Sequence, residues 1–132
     1  MRRNIATALT AAVLITATLT APAAFAGTAT AQAYTCRFSA SEPYAYAGHY
    51  GGTTVVPSST VVTSAGVEAQ CLLTWAGFDP GTIDGVFGTN SKAAAKKFQT
   101  MMNNAYGYSL ATDGIVGSET WPALRTYVCY RS

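Results

Sequence analysis

Charge is scarce in this 132-residue chain, where Asp, Glu, Lys and Arg make up 11% against 49% hydrophobic residues. Such a composition does not fit disorder driven by excess charge, and the length points to a single domain. Histidine is scarcer still: His49 stands alone, which excludes a zinc peptidase site with two histidine ligands. Cysteine is limited to Cys36, Cys71 and Cys129, too scattered for a metal-ligand spacing, so neither a metal ion nor a cofactor is expected. Long apolar runs are missing too. The uncharged stretch from Ile5 to Leu19 is too short for a membrane span, which needs about 20 residues.

That stretch has another reading. Met1-Arg2-Arg3 precedes it with basic charge, and Ala24-Phe25-Ala26 follows with the small-x-small form of a signal peptidase site. Residues 1–26 are therefore expected to be a secretory signal peptide, with Ala31-Gln32-Ala33 as a second possible cleavage site. Beyond Ala26, Arg37, Lys92, Lys96, Lys97, Arg125 and Arg131 are balanced by Glu42, Glu68, Asp79, Asp84, Asp113 and Glu119. The net charge of +2 thus resides in Arg2 and Arg3, and neither nucleic acid nor, after cleavage, a membrane is an expected partner. Lys92, Lys96 and Lys97 read as a solvated helix face. In an oxidising compartment the three cysteines suggest one disulfide and one spare thiol, with all three pairings open. Closing any of them would stabilise so small a domain by roughly 2 to 4 kcal/mol.

Residues 27–62 are rich in Thr, Ala, Ser, Gly and Tyr and read as an irregular N-terminal arm outside the core, with short extended pieces at Thr53–Val56 and Val61–Val62. Tyr34, Tyr44, Tyr46 and Tyr50 are expected to pack over a thin core rather than to form a sugar-binding strip. From Val67 the period becomes helical. Val67 or Ala69, then Leu72, Leu73 and Ala76, share a face, and Gly77 stands where a helix end favours a left-handed residue. Ala94, Phe98, Met101 and Met102 mark a second helix over Lys92 to Met102. Trp121, Leu124 and Val128 mark a third, with Pro122 confined to its first turn. Trp121 is expected in the core, and Trp75 under the arm or the Tyr127–Tyr130 tail.

A repeat lies between the helices. Asp84-Gly85-Val86-Phe87-Gly88-Thr89-Asn90-Ser91 corresponds to Asp113-Gly114-Ile115-Val116-Gly117-Ser118-Glu119-Thr120, 29 residues later. Each copy reads as a structural loop: the Asp bonds the following backbone, Gly85 or Gly114 accepts positive φ, two apolar residues enter the core, and Gly88 or Gly117 frees the chain to enter a helix.

Glu68-Ala69-Gln70-Cys71-Leu72-Leu73, Ala76-Gly77-Phe78-Asp79-Pro80-Gly81, Ile83 to Gly88, Phe98-Gln99, Asp113 to Gly117, Thr120-Trp121 and Ala123-Leu124 follow one another in a recognisable order. In that order they resemble the peptidoglycan-binding domain of bacterial cell-wall hydrolases. The resemblance implies an all-α fold: a small three-helix domain over 63–130, preceded here by the irregular arm. It also implies peptidoglycan as ligand and a separate cell-wall hydrolase as a possible partner. The connector from Thr100 to Thr112 is longer than the family's usual one, which makes Tyr106 and Tyr108 the first candidates for ligand contact. Gln99 and Arg125, polar groups at element edges, come second.

An enzyme is not expected. The arm is too small to bury a catalytic core of its own, and Glu42 and Glu68, the one pair considered for glycoside cleavage, include a residue in that arm. The expected product is a secreted, non-catalytic binder of peptidoglycan, extracellular or wall-associated. Its rival is a secreted interaction protein or inhibitor that keeps the fold but binds a protein. N-terminal sequencing of exported protein should begin at Gly27, or at Tyr34 if the second site is used; an intact Met1 in the culture fluid would overturn the signal-peptide expectation.

Overall fold

The computed structural model describes residues 33–132; the expected signal peptide, its cleavage site at Ala26 and the first residues of the arm lie outside the described residues. The elements are a small hairpin, β1 (Ser39–Ser41) and β2 (Tyr44–Tyr46), then three helices, α1 (Ser64–Ala76), α2 (Thr89–Tyr106) and α3 (Thr120–Arg131). The strands are antiparallel, pairing Ser39 with Tyr46 and Ser41 with Tyr44.

Helix α1 starts where the Thr63 hydroxyl accepts the Gly66 N–H at 2.9 Å, and it ends at Gly77 with φ of 94°. The Phe78 N–H donates to the Leu73 carbonyl and the Gly77 N–H to that of Thr74, which is the six-to-one and five-to-two pairing of a Schellman end. Helix α2 outruns its expected end at Met102 by a turn, stopping at Gly107 with φ of 72°. The reason is Asn103. Its amide faces the returning chain, donating to the Leu110 carbonyl and accepting the Leu110 N–H, each at 2.8 Å, so a residue that reads as loop-forming instead pins the loop to the helix. In α3, Pro122 sits in the first turn as expected, and Trp121, Leu124 and Val128 are buried.

The three helices enclose one main core with Leu72, Leu73, Phe87, Phe98, Val116, Trp121, Leu124 and Val128. Phe98 stands edge-on to Phe78 at 6.1 Å and to Tyr127 at 5.7 Å. Lys92, Lys96 and Lys97 are exposed.

The arm departs from its expected place outside the core. It is irregular, but Ala45 belongs to the main core, and Ala47 packs with Val67 and Cys71 in a second cluster. Small side chains let the backbone approach closely, so the arm's buried positions carry none of the large apolar periodicity that marks a core in sequence. A Cys36–Cys71 disulfide ties the arm to α1 and leaves Cys129 free. Closing a loop of separation 35 contributes roughly 3 to 4 kcal/mol by chain entropy. Further along, the Ser58 carbonyl accepts the Phe87 N–H at 2.8 Å, and the Val55 carbonyl accepts the Trp121 indole N–H at 2.8 Å.

The arm's chief anchor is ionic. Glu68 on α1 and Arg125 on α3 are both 0% exposed, and Arg125 Nη1 donates to Glu68 Oε2 at 2.8 Å. The Glu68 carboxylate also accepts the N–H groups of Ala47, His49 and Tyr50. The guanidinium donates to the carbonyls of Ala45, Tyr50 and Gly52. Nearby, the Val55 N–H, 3.1 Å from the Tyr50 phenolic oxygen, holds that phenol below its ordinary pKa.

The repeated loops superimpose in their bonding. Asp84 Oδ1 accepts the Val86 N–H and Asp113 Oδ1 the Ile115 N–H. Gly85 and Gly114 have φ of 82° and 76°. Two expectations need correction. Only the second apolar residue of each pair, Phe87 or Val116, is buried, while Val86 is half-buried and Ile115 is exposed, since successive side chains in an extended segment alternate between its two sides. Gly88 and Gly117 have no positive φ, and an added Cβ would meet nothing at either, so these loops do not need glycine there.

Gly85→Val and Gly114→Val should each cost about 1 to 3 kcal/mol from backbone strain alone. Gly114→Val should cost more, since its Cβ would fall 2.6 Å from the Lys92 carbonyl oxygen, whereas at Gly85 the nearest atom is a Val62 methyl. Melting temperatures at least several degrees below wild type are expected, with Gly88→Ala and Gly117→Ala near wild type. Arg125→Met, which strands the Glu68 carboxylate, should lower urea-unfolding stability by about 3 to 5 kcal/mol. Adding Glu68→Gln should recover part of that loss. A double variant whose cost equals the sum of the two single losses would show that the pair is not coupled.

Candidate functional site

Of the four expected contact residues, the structure buries two. Gln99 is fully buried on α2, where its Oε1 accepts the Gly114 N–H at 2.8 Å and its Nε2 donates to the Ile115 carbonyl and the Thr120 hydroxyl, each at 3.0 Å. Arg125 is consumed by the arm. Both are corrected from ligand candidates to internal staples: their hydrogen-bonding groups face inward, and a surface ligand has nothing to reach. Glu68 likewise cannot serve a glycosidase pair from inside the fold. Cys36 and Cys71 are joined in the disulfide, and His49 Nε2 lies 2.7 Å from the Thr35 carbonyl oxygen, which requires that nitrogen to be the protonated one. Among the described residues no group of three His, Cys, Asp or Glu side chains could hold a metal ion, and no helix is long and apolar enough to cross a membrane.

Tyr106 and Tyr108 lie elsewhere, at the surface. Tyr106 is the last residue of α2 and Tyr108 follows the Gly107 turn, and they are 58% and 38% exposed. They line a cleft of about 240 Å³ with Met102 of α2 and Thr126, Tyr127, Tyr130 and Arg131 of α3. Tyr127 is the fixed wall. It is half-buried, with its ring edge-on to Phe98 and Tyr106, and its hydroxyl accepts an N–H of Arg131 Nη1 at 3.1 Å. Tyr130, 63% exposed, forms the outer rim. Tyr127, Tyr130 and Arg131 fall at i, i+3 and i+4, so one helix face presents all three. That spacing was the sequence signal for the cleft's second wall, and treating the tail only as a cover for Trp75 passes over it.

A second hollow, of about 400 Å³, also borders Arg131 and is lined by Phe38, Trp75, Arg131 and Ser132. Phe38 stands edge-on to Trp75 at 5.4 Å, so the arm does cover Trp75 in part. A polar hollow of about 210 Å³ lies at the first repeated loop, bordered by Gln70, Asp84 and Ser91, but the Gln70 amide there is committed to Gly85, Val86 and Ser91. The tyrosine cleft is different: it has apolar ring surfaces open to solvent beside a cation, the chemistry that holds the apolar faces of sugars and the polar groups attached to them.

Residues 64–124 match the model of a family described as a peptidoglycan binding domain. Searches among curated proteins and among solved structures found no match to the chain. The matched segment holds α1, α2, both repeated loops and the start of α3, while Phe38, Tyr127, Tyr130 and Arg131 lie beyond it. The spaced motifs and the three-helix core they build agree with that match, so residues 64–124, just under half of the chain, are similar to the peptidoglycan-binding domain family.

Proposed function

We propose that this protein is a secreted, non-catalytic module that binds peptidoglycan in the tyrosine cleft at the junction of α2 and α3. The observation that carries this reading is the exposure of Tyr106, Tyr108 and Tyr130 around a concave, cation-bearing cleft on a domain of a wall-binding family. Exposed aromatic rings cost solvation unless a partner covers them, and rings held by helix ends bind with little loss of freedom. The apolar leader with its small-x-small site supports export, and a separate hydrolase is a partner such a module would serve.

Sedimentation of purified protein with isolated sacculi tests the reading. Wild type should bind saturably. Tyr106→Ala with Tyr108→Ala should weaken binding by roughly tenfold while leaving helix content unchanged, as expected for ring faces spent on ligand rather than on packing. Loss of helicity in the same variant would place the rings in the fold's own packing. Absence of wild-type binding would overturn the reading in favour of a protein partner.

A further inference from the structure

Arg131 is the residue shared by the tyrosine cleft and the Phe38–Trp75 hollow. It is held at two points. Its Nε donates to the Trp75 carbonyl of α1 at 3.1 Å, its Nη1 donates to the Tyr127 hydroxyl of α3, and the guanidinium lies 5.6 Å from the Tyr127 ring centroid. These bonds fix the guanidinium but leave Nη2 without a hydrogen bond among the described residues. No carboxylate pairs with it either: the ion pair found among the described residues is that of Glu68 and Arg125. A restrained guanidinium with unused donors loses little freedom when a planar anion arrives, and a carboxylate matches the spacing of those donors. Beside it, Phe38 is 47% exposed and its partner Trp75 is half-buried, so the hollow offers ring surface next to positive charge.

We propose that Phe38, Trp75 and Arg131 form a second subsite, sharing Arg131 with the tyrosine cleft, that takes a carboxylate-bearing peptide attached to the sugar. The inference rests on the peptidoglycan reading and deepens it. Tyr106, Tyr108 and Tyr130 take the saccharide, Arg131 pairs with a free carboxylate of the peptide, and Phe38 and Trp75 cover the peptide's apolar atoms. Position favours Arg131 as well as bonding: it lies in the last turn of α3, where the helix's own carbonyls hold a cation in place.

The experiment is calorimetric titration with disaccharide-peptide fragments released from peptidoglycan by a muramidase, either native or with their carboxyl groups amidated by methylamine. Wild type should bind the native fragments roughly tenfold more tightly than the amidated ones, as expected for a charge-assisted pair. That gap should shrink with added salt. Arg131→Gln should close the gap by weakening binding of the native fragments more than that of the amidated ones. Phe38→Ala should weaken both forms. The proposal is overturned if wild type binds both forms alike, or if Arg131→Gln weakens both equally with loss of helix content, the signature of a helix-end role alone. Loss of sacculus binding in the Tyr106 and Tyr108 double variant without any carboxylate preference in wild type would overturn this subsite and leave the tyrosine cleft standing. Failure of wild type to bind either fragment or sacculi would overturn both.

Discussion

Arg125 and Glu68 bring together α1, α3 and the irregular backbone of the arm at one buried point. A buried ion pair by itself is weak support for a fold, because desolvating two charges costs about as much as their attraction returns. What makes this pair effective is its remaining hydrogen bonds. Residues 45–52 have almost no regular structure, so their backbone groups need partners that a sheet or helix does not provide. The carboxylate supplies acceptors for the N–H groups of Ala47, His49 and Tyr50, and the guanidinium supplies donors to the carbonyls of Ala45, Tyr50 and Gly52. Tyr46 and Trp121 lie 4.6 and 5.0 Å from the guanidinium carbon by their ring centroids, adding the attraction of ring faces for a desolvated cation. The path of residues 45–52 follows from one acid on α1 and one base on α3, while the Cys36–Cys71 disulfide holds the start of the arm, with Phe38, beside Trp75.

The same solution recurs twice with neutral side chains. Gln70 reaches from α1 into the first repeated loop, where its Oε1 accepts the Gly85 N–H and its Nε2 donates to the Val86 carbonyl and the Ser91 hydroxyl. Gln99 does the same from α2 to Gly114, Ile115 and Thr120, every position displaced by 29 residues. Each amide satisfies a glycine turn from inside and bonds a hydroxyl in the opening turn of the next helix. The repeat is therefore larger than its Asp-Gly loops: it comprises a helix-borne glutamine, a turn and the start of the following helix.

This explains which parts of the molecule could be read from sequence. The helices were legible because Leu72, Leu73, Phe98, Leu124 and Val128 recur with the helical period, and Gly77, Gly85 and Gly114 because a left-handed backbone conformation favours one residue type. Gln99 and Arg125 were misplaced because a polar side chain at the edge of an apolar stripe looks the same whether it turns outward to a ligand or inward to a loop. What separates the two cases is a partner distant in sequence, such as Gly52, whose carbonyl has no marker of its own. For Gln99 a signal did exist: Gln70 stands 29 residues before it, the offset of the repeated loops. The arm's burial left no such signal, since Ala45 and Ala47 enter the core without bulk.

The cleft sits where the repeated frame ends, and that position suits binding. Tyr127 is held between Phe98 and Tyr106, with ring centroids at 5.7 and 5.9 Å, and its hydroxyl is bonded by Arg131, so the inner wall is set before any ligand arrives. Tyr106 stands on the last residue of α2, and the Asn103 amide closes the loop behind it onto Leu110. Immobilising rings in advance removes part of the entropy cost that the proposed sugar site would otherwise bear at the moment of binding. The extra turn of α2 and the last turns of α3 therefore do for the cleft what Glu68 and Arg125 do for the arm: they hold irregular or exposed groups in place with side chains anchored on helices, so that surface chemistry can vary at the edges while the three-helix core stays the same.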